Sequence, residues 1–426
     1  MNLTSKSNFP DRLIQNLSLA NKFISNHSKL REKEWASIRN DNEKKFQIQE
    51  NIKNFRAYGV WLSRGMDTYG LRDDYFSDKN QIVNKPSLIK YFNNSFLNPH
   101  YLKSDHYNTD EKNPNEKSKY TFNLHNKKAA DFRLKELIEE CGEKFVLENL
   151  IRDNVGNCPI SYNYKDIFYD EYNLCHLKYF YDLKKKIFDK TNNPKVVLEI
   201  GGGFGVLADY IIKNYRLKYI SFDLPEANLL TSWYLSQTLK NKKLFLIDNY
   251  LEEGSLNKKS LENYDIFILP PNVKLSEDIK VDLFINIRSM MEMDFDVVKD
   301  YFSFIHRYVS PEGYFYNINR YISNRSLFNS ENSKKINASD LSNYPYDNNW
   351  EVVMSSTSYR HNHMHTLITK RNKNDIKNNI KEELKKIENI SKKFLPTSIN
   401  IKTNNLRRNL KSWAIYLIFI FLRKIF

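Results

Sequence analysis

Cysteine is scarce in this chain. Cys141, Cys158 and Cys175 are the three among 426 residues, and none stands in a Cys-x-x-Cys pair. So small and odd a set excludes a disulfide framework and a cysteine-built zinc site, and reads as reduced thiols. The opening, Met-Asn-Leu-Thr-Ser-Lys-Ser-Asn-Phe-Pro, has no apolar stretch of the kind that directs export, so a cytosolic protein is expected. Long apolar runs are missing as well. Ser412–Leu422 is uncharged for eleven residues, which as a helix covers about 16 Å of a hydrocarbon core about 30 Å thick. That run cannot span a bilayer. No internal repeat is found.

What is present is enough for a folded body: 41% hydrophobic residues and 14% aromatics, against the composition of disordered chains. The length exceeds one typical domain. The net charge of +15 is uneven, because residues 371–426 hold fourteen Lys and Arg against four Asp and Glu, leaving +5 for the first 370. A basic tail is therefore clear, and a basic body that grips nucleic acid is not. Residues 1–154 read as mainly helical, with amphipathic stretches at Lys29–Tyr58 and at Lys127–Cys141, the latter stopped by Gly142. Tyr58–Arg72 reads as a connecting segment and Asn108–Lys119 as a polar surface excursion. Asp166–Leu183 is an aromatic helix whose tyrosines (Tyr164 before it, then Tyr169, Tyr172, Tyr179 and Tyr181) pack the helical part onto a sheet. Tyr162, Tyr164 and Asn157 are left as lid candidates.

Glycine is uncommon too, eleven in all, yet four stand within 201–205. Val196-Val-Leu-Glu-Ile is a β-branched apolar run that reads as a buried parallel strand. It breaks into Gly201-Gly-Gly-Phe-Gly205, and a helical pattern follows at once. Such a corner lets a ligand approach bare backbone near unpaired N–H groups. A dinucleotide fingerprint needs a third glycine where Val206 stands. The pattern is instead Glu-x-Gly-x-Gly-x-Gly from Glu199, with Asp223 ending the next apolar run 24 residues later. From Val196 onward, strands alternate with helices as in a doubly wound sheet. Glu226–Leu239 is the helix after the second strand, Leu244–Ile247 or Asp265–Leu269 the third strand, Val281–Ile287 the fourth, Phe295–Val309 its helix and Tyr314–Ile318 the fifth; Trp350–Ser356 and Met364–Thr369 close as a hairpin.

The glycine pattern and downstream acid resemble the first motifs of class I S-adenosylmethionine-dependent methyltransferases. Asp223-Leu-Pro-Glu, the segment Asp282-Leu-Phe-Ile-Asn-Ile-Arg-Ser-Met-Met-Glu-Met293, and Tyr314-Phe-Tyr-Asn-Ile-Asn319 are further similar to bacterial sugar O-methyltransferases over about residues 155–370. The resemblance implies a Rossmann-like doubly wound methyltransferase sheet at 155–370, preceded by a helical region at 1–154 and followed by a basic tail at 371–426. Gly201, Gly202, Gly203 and Gly205 would accommodate the methionine portion of the cofactor. Glu199 would order the turn and meet the amine through water. Asp223 would accept both ribose hydroxyls, unless it is a helix cap, and Leu224 would pack on adenine.

A sugar hydroxyl is a weak acid, so its methylation needs a base or a polarising metal. Glu292, just past the fourth strand, is one candidate base, though a first-turn helix acid would look the same. His361-Asn-His-Met-His365 is the histidine cluster; a strand would set all three on one face, solvent-facing or as a base at His363 or His365. No carboxylate motif accompanies them, so a divalent metal is not indicated. Asn286, Ser289, Asn319 and Tyr162 are candidates for holding a polyol. The acceptor implied is a sugar or glycan, nucleotide- or lipid-linked, with homo-oligomer formation left open. Leu406–Phe426, basic at both ends of its apolar run, suits either an interfacial contact on an anionic membrane face or docking on the body. Two rival readings remain. One is an RNA methyltransferase, for which Leu269-Pro-Pro-Asn272 lacks the leading polar residue and the aromatic of the base-gripping motif. The other is an inactive scaffold, which the intact acids disfavour.

Overall fold

Short β-branched runs bounded by turns become the strands of an eight-stranded sheet. The computed structural model describes residues 9–25, 46–56, 123–150, 153–157, 162–165, 167–190, 194–322, 340–359, 361–372 and 379–392. The expected segments Tyr58–Arg72, Asn108–Lys119 and Leu406–Phe426, and most of Lys29–Tyr58, lie outside these residues.

In chain order, α1 (Phe9–Ser25), a short α2 (Gln49–Lys53), α3 (Asn123–Cys141) and α4 (Glu143–Asn149) come first, then a small hairpin of β1 (Tyr162–Tyr164) and β2 (Ile167–Tyr169), and α5 (Glu171–Leu183). The large sheet comes next: β3 (Val196–Ile200), α6 (Val206–Asn214), β4 (Lys218–Phe222), α7 (Pro225–Thr238), β5 (Leu244–Phe245), α8 (Ile247–Glu253), α9 (Lys258–Asn263), β6 (Ile266–Leu269), β7 (Val281–Ile287), α10 (Phe295–Tyr308), β8 (Val309–Arg320), β9 (Trp350–Ser358) and β10 (His361–Arg371). A last helix, α11 (Ile380–Ser391), lies on β9 through its buried Ile380, Leu384 and Ile387.

The strand order is β5-β6-β4-β3-β7-β8-β10-β9. Strands β3 to β8 are mutually parallel, and β10 runs antiparallel to both β8 and β9. Alternate residues of one strand feed two cores. Val197 of β3 joins the one shared with α5, α6 and α7, while Leu198 and Ile200 join the one shared with α8, α10 and α11. This is the doubly wound, Rossmann-like α/β sheet expected from the sequence. Both runs proposed for the third strand are strands. Residues 266–269 lie beside β4, while 244–245 form an outer edge whose expected continuation, Ile247, opens α8 instead. The expected aromatic helix begins later than Asp166, because β1 and β2 occupy 162–164 and 167–169 and Asp170 caps α5 by accepting the N–H of Asn173. Tyr169, Tyr172 and Tyr179 are buried as packing residues.

The strand order switches sides between β3 and β7, and in open α/β sheets ligands bind beyond the carboxyl ends of the strands at such a switch point. The N-terminal elements pack nearby. Helix α1 packs on α7 and pairs Arg12 with Asp248 of α8 at 2.7 Å. Arg56 forms an ion pair with Asp170 at 3.1 Å, the two side chains 2% and 5% exposed, and its guanidinium lies 5.2 Å from the ring of Phe204. Phe204, inside the glycine stretch, is held by Phe55, Tyr172 and Tyr234 at centroid distances of 5.2, 4.9 and 5.2 Å. Removing one partner of a buried pair strands the other charge, so Arg56→Met should lower unfolding free energy by about 3–5 kcal/mol. A urea titration followed by fluorescence measures this, and an unchanged midpoint contradicts it.

Candidate functional site

Strand β3 ends at Ile200, and the next residues cannot carry ordinary side chains. Gly201 has φ +79°, and a Cβ there would strike the hydroxyl of Ser289. At Gly202 a Cβ would lie 2.7 Å from Ser221 Oγ and 2.8 Å from Glu199 Oε2. The bend is therefore seated on its own acids and hydroxyls, with little between the backbone and them. Its far side is pinned twice at Gly203. The N–H of Gly203 donates to Asp223 Oδ2 at 2.8 Å, and its carbonyl accepts the Thr231 hydroxyl of α7 at 2.6 Å. Asp223 Oδ1 accepts the Leu224 N–H at 2.7 Å.

Asp223 thus follows β4 directly, faces the bend, and stands just before the first turn of α7. It is half-buried, and loss of water raises its pKa to about 6 against the pull of the two N–H groups. Glu199 is buried beneath Gly202 and accepts the Tyr219 hydroxyl at 2.6 Å. Burial is the largest influence on it, the Tyr219 hydrogen bond opposes burial and the Asp223 charge reinforces it, leaving a pKa of about 7. Tyr301 of α10, which no sequence pattern marks, is held protonated by burial and then by the charge of Asp223. Leu224 is half-buried at the entry to α7.

The expected acceptor residues are brought to the same edge, but two of them face inward. Asn286 and Asn319 are fully buried, and protein groups occupy both ends of each amide. In this conformation neither offers an atom to a bound molecule. Polar residues at the ends of strands buried on both faces carry no sign of which way they point, and here they tie strand to strand. Ser289 also serves the bend, donating to the Ile200 carbonyl at 3.0 Å. Glu292 closes the one-turn helix Met290–Glu292 beyond β7, half-buried on the rim. Tyr162 lies on β1 opposite Tyr169.

The pairing of β9 with β10 has a register irregularity between His361 and His365. His365 is buried; its Nδ1 meets the Tyr321 hydroxyl at 2.9 Å and its Nε2 the Ser355 hydroxyl at 2.7 Å, under Glu383 of α11. Burial lowers its pKa to about 4, so it is neutral, with both ring nitrogens engaged. His363 is half-buried, its carbonyl accepting the Tyr321 N–H. Among the described residues no group of three or more His, Cys, Asp or Glu is arranged to hold a metal ion, and no helix is long and apolar enough to cross a membrane. Thr231 and Phe204 hold the bend, and neither is among the residues the sequence singles out. Phe204 had a signal, an aromatic between two glycines, whereas the contact of Thr231 with Gly203 spans 28 residues and leaves none.

No protein-family model matches the chain, and no curated protein matches it. Solved structures similar to it include the pyocyanin biosynthetic protein PhzM (10% identity, 45% of this chain and 54% of that one, TM-score 0.27). Others are the M. jannaschii tRNA m1G37 methyltransferase (16%, 45% and 49%, 0.26) and a candidate O-methyltransferase from Klebsiella pneumoniae (11%, 60% and 99%, 0.32). The chain spans about half the length of the first two. Scores this low carry no argument about activity, which rests on the site itself.

Glu199 supplies a test of the bend's electrostatics. Its folded pKa of about 7 exceeds the ordinary 4.5, so the native state holds its proton more tightly and stability falls as pH rises through that window. Glu199→Gln removes this cost, keeps an acceptor for Tyr219, and sets an amide beside Ser221 Oγ, for which no hydrogen bond is found. Thermal melts should show the variant gaining about 1 kcal/mol, about 2 °C, over wild type at pH 8, and much less at pH 4.5. An equal difference at both values contradicts the assignment.

Proposed function

We propose that this chain is an S-adenosylmethionine-dependent O-methyltransferase acting on a sugar hydroxyl. The observation that carries the cofactor half is the fork at Asp223: one carboxylate oxygen on Gly203 N–H, the other on Leu224 N–H, facing a bend of bare backbone. A carboxylate oxygen has more than one acceptor direction, so each keeps capacity for a hydroxyl donor. The raised pKa means that such donors are favoured, because they stabilise the ionised form. A vicinal diol, as in a ribose, supplies two donors with matching spacing. The glycine stretch would receive the amino-acid end of the cofactor, and half-buried Leu224 would meet its base.

When bound, S-adenosylmethionine supplies an activated methyl on sulfur, to be displaced in line by an incoming oxygen. The chain's own residues then have three tasks. The bend and Asp223 would fix the donor, the residues around it would exclude water, and a base would take the hydroxyl proton. Glu292 is the residue we assign to that last task, since it stands past β7, across the switch point from Asp223. His365 is set aside, because both its nitrogens are committed to hydroxyls beneath α11. The sugar as acceptor is supported by the resemblance of 282–293 and 314–319, with nucleotide- or lipid-linked sugars as the first substrates to try.

Titration calorimetry with S-adenosylmethionine tests the first half. Wild type should bind, with affinity falling below about pH 6 as Asp223 takes up its proton and loses acceptor capacity. Asp223→Asn should bind about ten- to a hundredfold more weakly, in line with the loss of a charge-assisted hydrogen bond. A screen of nucleotide sugars, with and without EDTA, then reads transfer. No binding by wild type sinks the proposal, and binding with transfer only to RNA sinks its second half.

A further inference from the structure

The Met290–Glu292 turn is held by side chains that the proposed chemistry does not use. Three successive main-chain N–H groups are each assigned an acceptor: Met290 donates to Asn286 Oδ1 at 3.3 Å, Met291 to Asn319 Oδ1 at 2.9 Å, and Glu292 to the Ser289 carbonyl at 3.0 Å. The other ends of the same amides run the opposite way. Asn286 Nδ2 donates to the carbonyl of Ile200 at 2.9 Å, and Asn319 Nδ2 to Asn286 Oδ1 at 2.7 Å. Ile200 is the last residue before the glycine bend, and Ser289 Oγ donates to the same carbonyl. Asn319 Nδ2 also donates to Asn317 Oδ1, and Asn317 Nδ2 to the Tyr346 hydroxyl at 3.1 Å. A chain of amides thus crosses β8, β7 and β3, joining the carboxylate-bearing turn to the bend. All three asparagines are 0% exposed.

We propose that Asn319 and Asn286 are positioning residues that fix the Glu292 turn at a set distance from the glycine bend; the inference rests on the reading of Glu292 as the acceptor-side base. The residue type is dictated by what surrounds it. Position 319 must accept from Met291 N–H and donate to two amide oxygens at once. Asparagine does both, an ionised aspartate only accepts, and alanine or leucine does neither. An unmet N–H in so dry a place costs about 1–3 kcal/mol, enough to let the turn move. In-line transfer does not tolerate that movement, since a misplacement of about 1 Å costs about a hundredfold in rate.

Three variants test this, read by amide hydrogen exchange and by kinetics. Asn319→Ala should speed exchange in residues 289–293 at every pH, and lower kcat about ten- to a hundredfold, while affinity for S-adenosylmethionine stays within about twofold of wild type. Asn319→Asp keeps the acceptor for Met291. At pH 8 it should speed exchange in 289–293, by less than the alanine variant because only the donated bonds are lost, and it should recover toward wild type as falling pH lets a protonated carboxyl donate again to Asn286; rates are taken as the ratio to wild type at each pH. Should Asn319→Ala fail to fold, Ser289→Ala cuts the direct hydroxyl link to Ile200 and should loosen both 201–205 and 289–293. Unchanged exchange in 289–293 for the aspartate variant at pH 8 and for Ser289→Ala overturns the inference, whether or not the protein transfers methyl groups. Wild type that fails to bind S-adenosylmethionine, yet shows these exchange changes, overturns the functional reading and leaves the structural tie standing.

Discussion

The carboxylate of Asp223 takes main-chain N–H groups from two places far apart in sequence, Gly203 on the bend and Leu224 at the mouth of α7, and the proposed ligand edge of the sheet is built outward from that fork. Gly203 can be reached because neither it nor Gly202 carries a side chain, and the ring of Phe204 is taken up by Phe55, Tyr172 and Tyr234. It stays in reach because Thr231, two turns into α7, draws its carbonyl from the other side. Gly203 is thus held on both sides, its N–H by Asp223 just before α7 and its carbonyl by Thr231 within that helix. Phe204 then anchors the end of the bend nearest α6, and through Arg56 and Asp170 it binds the N-terminal elements to the same corner. Residues 46–56 and 170–172 are therefore part of the support beneath the proposed cofactor site.

Much of this was legible in the sequence because the physics involved is local. A run such as Val-Val-Leu-Glu-Ile before four glycines leaves few alternatives to a buried strand and a tight bend, and β3, β4, β7, α7 and α10 stand within a residue or two of where periodicity puts them. Asp223 was legible for the same reason, at the end of a strand that must lie beside β3. What was not legible is direction. Asn286 and Asn319 lie on parallel strands buried on both faces, where alternation of polar and apolar residues carries no information. Their inward orientation is decided by partners on other strands. For His365 the missing information is its partners, since the Tyr321 and Ser355 hydroxyls that take both its ring nitrogens leave no mark in its own spacing.

The same distinction explains the helix that follows the sheet. Ile380, Leu384 and Ile387 show helical spacing, and α11 forms and buries them against β9. Its lysines stay outward, so basic composition and core packing coexist on one helix. Counting charge over 371–426 as a tail hides this, because part of that segment completes the sheet's flank and supplies Glu383 to the Ser355–His365 network. Composition describes a stretch of chain, whereas packing is decided face by face.

Glu199 and Asp223 are both pushed toward protonation by burial, and Asp223 adds to the shift at Glu199. A fold selected for stability alone would replace two such carboxylates or pair each with a cation, and neither has one among the causes of its shift. Near neutral pH the bend therefore carries anionic charge that its own hydrogen bonds only partly offset, a cost borne by the native state. A ligand that brings hydroxyl and ammonium donors to this corner removes part of that cost, and its binding energy is larger for it. The unfavourable electrostatics of the bend are consequently what the proposed cationic, diol-bearing ligand would relieve: the sheet supplies the rigidity that keeps the carboxylates in place, and hydrogen bonds from Gly203, Leu224 and Tyr219 offset part of their charge.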